Sequence, residues 1–329
     1  MSIGKLRAAI GLIGLAIASS GLGQTLTVTS PTEGAFLGQS NQIKFTATGV
    51  NVEVLIKAKV EGPGGGITNI EGNFTPNADG KVDNNLALNF SESAPEGAYT
   101  ITVTGTRKDT NVVFGTAVIN VTVDVQKPKF LQFNPTNNAF VRGIVPIIVK
   151  VLEGNFKDYR VQINNQDIPN NTGTTLTNGT FTVNWDTNGI INDGNQTISI
   201  RLRDEAQNEA TQSVTVTIDR IPPSATIVQP LAGVALRPKS NVSVAVDVQD
   251  GSGSNMDFTG VDVVARTLDG AYLGRVSRSS FKNAGGNTMR WSGRLRWTKS
   301  LPKEFKIVVN VRDRAGNVGA QQELTVRYK

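Results

Sequence analysis

A seven-residue segment built around proline occurs three times in this 329-residue chain and narrows the architectures open to it. It reads Ser30-Pro31-Thr32-Glu33-Gly34-Ala35-Phe36, then Asn134-Pro135-Thr136-Asn137-Asn138-Ala139-Phe140, then Gln229-Pro230-Leu231-Ala232-Gly233-Val234-Ala235. The prolines lie 104 and 95 residues apart. Alternating apolar residues flank each copy: Leu26 and Val28 with Ile43 and Phe45, Phe130 with Ile147 and Val149, and Ile227 with Val242, Val244 and Val246. Alternation marks a strand with one buried face, and proline lacks the amide donor a central ladder needs. Each copy therefore reads as strand, turn, strand.

The repeats also close alike. Tyr99, Ile101 and Val103 are followed by Ile119, Val121 and Val123 in the first. Ile198, Ile200 and Leu202 precede Val214, Val216 and Ile218 in the second; Ile307, Val309 and Val311 precede Leu324, Val326 and Tyr328 in the third. Period-two segments joined by a polar turn predict hairpins. Asp79-Gly80, Asn178-Gly179, Asn188-Gly189, Asp193-Gly194 and Asp269-Gly270 supply turn signals between strands. A period near one hundred residues suits an immunoglobulin-like sandwich; a propeller blade is shorter and a β-helix repeats faster. The expected fold is all-β, with three tandem immunoglobulin-like β-sandwich domains at residues 24–126, 127–220 and 221–329. Asp124–Pro128 and Asp219–Pro223 are the expected joints, where proline restricts bending and favours a rod over loose beads.

Two absences bound the chemistry. The chain has no Cys, so disulfides, thiolate nucleophiles, zinc–thiolate sites and lipid-anchored cysteine are excluded. It has no His, which removes Ser-His-Asp and Cys-His catalysis and the HExxH class. Carboxylate, Lys, Tyr or Ser–Lys chemistry is what remains. No carboxylate pair stands out, and repeats this regular leave no insertion to build a cleft. The expectation is a non-enzyme.

At the N-terminus, Lys5 and Arg7 precede the apolar run Ala8–Ala18, and small residues offer cleavage after Ala18 or Gly23. The run is short for a bilayer span and fits a secretory signal over residues 1–23, with the mature protein starting near Gln24. Export to the periplasm, the cell surface or the medium follows, with no integral membrane span.

The second repeat contains Phe181-Thr-Val-Asn-Trp185-Asp-Thr, Asp193-Gly-Asn-Gln-Thr-Ile198, Arg203-Asp204-Glu-Ala-Gln-Asn208 and Val214-Thr-Val-Thr-Ile-Asp219. The third contains Asp250-Gly-Ser-Gly253, Leu268-Asp-Gly270 and Asp313-Arg-Ala-Gly-Asn317. These motifs resemble the bacterial immunoglobulin-like repeats of surface and adhesin-type proteins, which carry a Trp-Asp-Thr segment, a D-x-A-G-N turn and a closing V-x-V-D before Pro. The resemblance covers most of 127–329 and touches 24–126 only in outline. There the corresponding turn is Arg107-Lys-Asp109-Thr-Asn111, and a Gly-rich tip at Gly62–Gly66 has no counterpart. It implies the fold and export, and leaves function open because the fold serves many.

The Asp-x-Ala-x-Asn turns admit two readings. Asp and Asn hydrogen-bond their own backbone and tolerate tight turns, which needs no ligand. In some adhesins of the resembled type, similar Asp residues near domain junctions bind calcium. On that reading Asp204, Asn208, Asp219, Asp313 and Asn317 are candidate calcium ligands, with Asp124 and its neighbours as another source of oxygens. No other cofactor is expected. Trp185 reads as a core anchor, with sugar stacking as the alternative.

Charge is distributed unevenly. Residues 24–126 hold six Lys/Arg against ten Asp/Glu, residues 127–220 nine of each, and residues 221–329 sixteen against eight. The excess centres on Arg275, Arg278, Lys282, Arg290, Arg294, Arg296 and Lys299. In a strand, Arg290, Ser292, Arg294 and Arg296 share one face, with Trp291, Leu295 and Trp297 on the other. The bland reading is an exposed face over a core face. The functional one makes Arg275, Arg278, Arg290, Arg294, Arg296 and Lys299 a docking surface for an anionic envelope polymer or acidic protein. Export argues against nucleic acid. Three roles stay open: an envelope spacer binding other surface proteins, an adhesin or carbohydrate-binding module, and an accessory subunit of a secretion, pilus or surface-layer machine.

Overall fold

The structure, a computed structural model, describes residues 23–190, 192–237, 242–250, 256–285, 288–297 and 302–329. For residues 256–259, 277, 278, 296 and 297 it describes the backbone. The export signal read at residues 1–23 lies outside these residues except for Gly23, as do Lys299 and most of Asp250–Gly253.

The first repeat forms β1 (Thr25–Ser30), β2 (Phe36–Leu37), β3 (Ser40–Thr48), β4 (Val54–Glu61), β5 (Ile67–Phe74), β6 (Lys81–Asn89), β7 (Gly97–Arg107) and β8 (Val113–Val123). The second forms β9 (Lys129–Asn134), β10 (Phe140–Val141), β11 (Ile144–Leu152), β12 (Phe156–Ile163), β13 (Gln166–Gly173), β14 (Thr180–Asp186), β15 (Gly194–Asp204) and β16 (Glu209–Ile218). The third forms β17 (Ser224–Gln229), β18 (Ala235–Leu236), β19 (Ser243–Gln249), β20 (Met256–Arg266), β21 (Tyr272–Gly285), β22 (Thr288–Trp297), β23 (Glu304–Asp313) and β24 (Gln322–Tyr328).

Strand order is the same each time. The first repeat has a sheet β1-β3-β6 and a sheet β2-β8-β7-β4-β5, and the second has β9-β11-β14 and β10-β16-β15-β12-β13. In the third, the same two orders are joined through β21 and β22 into one eight-stranded sheet, β17-β19-β22-β21-β20-β23-β24-β18. β21 has 14 residues where β5 and β13 have 8, and it pairs with β22 from Gly274 to Gly285 while its first residues, Tyr272, Gly274 and Arg275, pair with β20. Three tandem immunoglobulin-like sandwiches are what this order describes.

The proline segments do more than turn. Ser30–Pro31, Asn134–Pro135 and Gln229–Pro230 are all cis peptides. Each leads into a two-residue strand that pairs parallel with the closing strand: Phe36 with Thr122, Phe140 with Thr217, Ala235 with Arg327. The sequence reading treats this segment as a turn alone, because two residues are too few to show alternation. In the first two repeats the chain thus crosses from one sheet to the other at the proline, and in the third it crosses between the two ends of the single sheet.

The period-two faces become the cores. In the first repeat Ile43 and Phe45 of β3 meet Ile56 and Val60 of β4, Ile101 and Val103 of β7, and Val121 and Val123 of β8. In the third, Val244 and Val246 meet Trp291, Leu295, Phe305, Ile307 and Val309. In the second, Ile147, Val149, Ile198, Ile200, Val216 and Ile218 are buried. Trp185 is 3% exposed and faces the partner strand opposite Val145, so its ring is closed to a stacking sugar.

By packing, the chain divides into two compact units. One holds the residues up to Lys129 with Val151–Tyr159 and Arg201–Thr211; the other holds Phe130–Lys150, Arg160–Ile200 and Gln212–Lys329. Residues 124–128 and 219–223 have no regular structure. No described helix is long and apolar enough to cross a membrane.

Candidate functional site

The turn after β15 belongs to the first unit. Asp204 is fully buried, and its carboxylate accepts from the Asn208 backbone N–H (2.9 Å) and from Asn208 Nδ2 (2.9 Å). That closes the Asp-x-Ala-x-Asn turn on itself, as short polar side chains do. Asn208 Nδ2 also reaches out of the turn, donating to the carbonyls of Asp124 (2.8 Å) and Gln126 (3.1 Å). Asn155 Nδ2 donates to Asp124 Oδ2 (2.9 Å), and the Asn155 N–H donates to Glu153 Oε1 (2.7 Å). The turn therefore seats on the exit of the first closing strand. Gly38 is required at this contact: a Cβ there would meet the Ala206 carbonyl oxygen at 2.9 Å.

The second unit repeats the arrangement at the turn after β23. Asp313 Oδ1 accepts the Asn317 N–H (2.7 Å), Asp313 Oδ2 accepts Asn317 Nδ2 (2.7 Å), and the same Nδ2 donates to the Asp219 carbonyl (2.9 Å). Asp219 and Asp124 hold equivalent places, each donating its N–H to the two-residue strand beside it, at Val141 O (3.1 Å) and Leu37 O (3.0 Å). Where Gly38 makes room in the first unit, Arg142 here reaches over the turn and donates to the carbonyls of Ala315 (3.3 Å) and Gly316 (2.6 Å).

Carboxylates gather at both places. Oxygens of Asp219, Asp250 and Asp313 all lie within 4.8 Å of one another. Asp219 and Asp313 are legible in the sequence; Asp250 stands there only as part of the family pattern, because its approach to them depends on the fold of the third sandwich. The candidate ligands fall into two sets, Asp204 with Asn208 and Asp219 with Asp313 and Asn317. Around Asp124 the second acidic neighbour is Glu153, which the sequence reading did not single out. Burial raises the Glu153 carboxyl above its ordinary value, helped by the charges of Asp124 and Asp204. Burial likewise raises Asp204, against the two bonds from Asn208.

A folded-state value above the unfolded one means the folded chain holds these protons more tightly. The associated stability is complete below the ordinary carboxylate range and is lost as pH rises through the raised values. Glu153→Gln keeps the acceptor for Asn155 and removes the charge. It is expected to stabilise the protein at pH 7 by up to about 1 kcal/mol, with the gain vanishing at pH 4, read from thermal unfolding at both pH values.

The basic face lies on β21 and β22. Trp291 and Leu295 are buried while Arg290 and Arg294 are exposed, the alternation expected of β22. Arg290, however, is engaged: its Nε and Nη2 hold Asp247 at 2.7 and 2.8 Å from the neighbouring strand, and that pairing pulls the Asp247 carboxyl below its ordinary value. Arg275 is exposed, 3.8 Å from Asp262 and opposite Arg296 in the strand register. Among the described residues Arg294 has no ion-pair partner. Arg278 and Arg296 are placed by backbone alone, and Lys299 lies outside the described residues. The turn of the first repeat differs: Arg107 clamps Asp109 with two bonds and holds its carboxyl at about 2.

No protein-family model and no characterised protein matches the chain in sequence. Among solved structures, it is similar to the fibronectin(III)-like modules of Clostridium thermocellum CbhA, at 19% identity over 59% of this chain and 94% of that one, with a TM-score of 0.35. An I-band fragment of titin is 14% identical over 94% and 99% of the two chains, with a TM-score of 0.37. A bacterial ice-binding adhesin structure is 15% identical over 88% and 92%, with a TM-score of 0.31.

Proposed function

We propose that this chain is a non-catalytic, exported envelope component that spaces and docks, with its sandwiches at residues 24–126, 127–220 and 221–329. The observation that carries the spacer reading is the repeated Asn clamp. Asn208 and Asn317 each tie an Asp-x-Ala-x-Asn turn to the exit carbonyl of the preceding closing strand, 84 and 98 residues away. A chain that only needed linked binding modules has no use for such bonds. The lack of His and Cys supports a role without catalysis.

The third sandwich is the docking end, for an anionic envelope polymer or an acidic surface protein. Arg294 and Arg275 are the residues to test. Reversing Arg290 would set a carboxylate beside Asp247 and destabilise the strand pair, confusing a binding result. Arg294→Glu and Arg275→Glu are each expected to weaken binding to an anionic polymer roughly fivefold, from about 1 kcal/mol per surface cation. The readout is the salt needed to elute the protein from a heparin column. An unchanged elution position for the double variant removes the docking role.

A second reading adds calcium at Asp219, Asp250 and Asp313. Two oxygens on one calcium, each about 2.4 Å away, are at most about 4.8 Å apart, and oxygens of these three carboxylates lie within 4.8 Å of one another. The expected result is a melting temperature that rises with millimolar calcium, and Asp250→Asn loses the rise. A melting curve indifferent to calcium and to chelator eliminates it.

A further inference from the structure

The three repeats treat one equivalent strand edge in three different ways. β21 is covered by pairing with β22. β13 ends its sheet but carries Pro169 and the left-handed Asn170 (φ 55°) in mid-strand, and both spoil an edge for further pairing. β5 ends its sheet with neither device. Its eight residues, Ile-Thr-Asn-Ile-Glu-Gly-Asn-Phe, contain no Pro, Lys or Arg, and they pair with β4 from Val54–Phe74 to Glu61–Ile67 without a register shift. Native sheets usually blunt such an edge with charge, proline or a bulge; the one charge on β5, Glu71, lies 3.7 Å from Lys57 of its own sheet.

The hydrogen-bond phase of β5 follows from its hairpin. Gly62 N–H donates to Gly66 O (3.0 Å), and on the far side of β4 Lys108 N–H donates to Glu53 O (3.1 Å). In an antiparallel ladder bonded pairs alternate with non-bonded ones. Thr68, Ile70, Gly72 and Phe74 therefore spend their backbone groups on β4. Ile67, Asn69, Glu71 and Asn73 direct theirs outward. All four outward residues are exposed, Ile67 to 54%.

We propose that β5 is a self-association edge, pairing antiparallel with β5 of a second copy so that two five-stranded sheets become one. The occupant is argued from self-complementarity. Only one two-fold register gives every outward residue a partner: Ile67 opposite Asn73 of the partner subunit, and Asn69 opposite Glu71 of the partner subunit. There each Glu71 carboxylate faces an amide donor. Sliding by one bonded pair in one direction sets Glu71 against its own copy and leaves Ile67 unpaired; in the other it leaves Asn73 unpaired. A two-fold contact is closed and stops at a dimer. It uses no residue of the basic third sandwich, so it stands apart from the docking proposal.

The chain has no native Cys, which makes cross-linking a clean test. Residues opposite each other in a bonded pair have Cα atoms about 5.5 Å apart, within the reach of a disulfide. Asn69→Cys chains mixed with Glu71→Cys chains are expected to form a disulfide-linked species of doubled mass, well above what either gives alone. In analytical ultracentrifugation the unmodified protein is expected to shift from monomer to dimer as concentration rises. Asn69→Pro should abolish the shift while leaving the melting temperature close to unchanged, because the Asn69 N–H does not serve β4. A protein monomeric at every concentration overturns the proposal, as does a dimer indifferent to Asn69→Pro or a mixture that cross-links no better than its components.

Discussion

Asn317→Asp is expected to lower stability at pH 7 by more than about 3 kcal/mol, although it exchanges a single NH2 for an oxygen. The side chain is 4% exposed, and its Nδ2 donates to both Asp313 Oδ2 and the Asp219 carbonyl. The substitution removes both donations. It also adds a fourth carboxylate beside Asp219, Asp250 and Asp313. Asn317→Ala, which loses the donors without adding charge, is expected to cost about 2–3 kcal/mol, so the difference between the variants isolates the electrostatic part. Acid should narrow that difference, since protonation of the new carboxyl removes its charge and restores a donor. Calcium should narrow it at pH 7 if the cluster holds the ion. Urea unfolding at pH 7 and pH 4, with and without calcium, reads all of these; a variant as stable as the parent at pH 7 would show that the clamp is dispensable.

Phe45→Ala is expected to cost about 3–5 kcal/mol, the range for deleting a buried aromatic ring and leaving a cavity. Phe45 is 0% exposed in the core of the first sandwich, with its ring edge-on to Phe74 at a centroid distance of 5.1 Å and an interplanar angle of 73°. Its neighbours come from both sheets, so the gap does not close by moving one strand. Ile67→Ala, on the exposed edge of the same sandwich, is expected to stay within about 0.5 kcal/mol. Urea midpoints of the two variants make the comparison, and equal midpoints would contradict the placement of Phe45.

The site was less legible than the fold. The strands that the alternation marked, from Ile43 and Phe45 to Ile307, Val309 and Val311, bury that face, except β9, where Phe130 is only partly buried and Phe133, on the opposite face, is the core residue. The two-residue strands at Phe36, Phe140 and Ala235 escaped because they have no period to read. Asp313 and Asn317 were visible as a turn, while Asp250 and Glu153 had no local signal of their own. Arg290 looked like a free cation on an open face. It is held by Asp247, which sits opposite it on β19 and 43 residues earlier in the chain.

What the sequence determined by itself is therefore local: strand periods, buried faces, proline turns and the closed Asp–Asn turns. These depend on a residue and neighbours within a few positions, where backbone geometry converts spacing into direction. What the tertiary structure decided is where the spare hydrogen bond of each turn goes and which charges meet. Asn208 and Asn317 complete their turns with bonds to Asp204 and Asp313, and nothing local assigns the remaining donation to Asp124 and Asp219. The same holds for the free edge of β5 and the covered edge of β21, which differ in whether a second strand pairs there. Pairing between distant strands sets these outcomes, and a pattern that repeats every two residues carries no record of its partner.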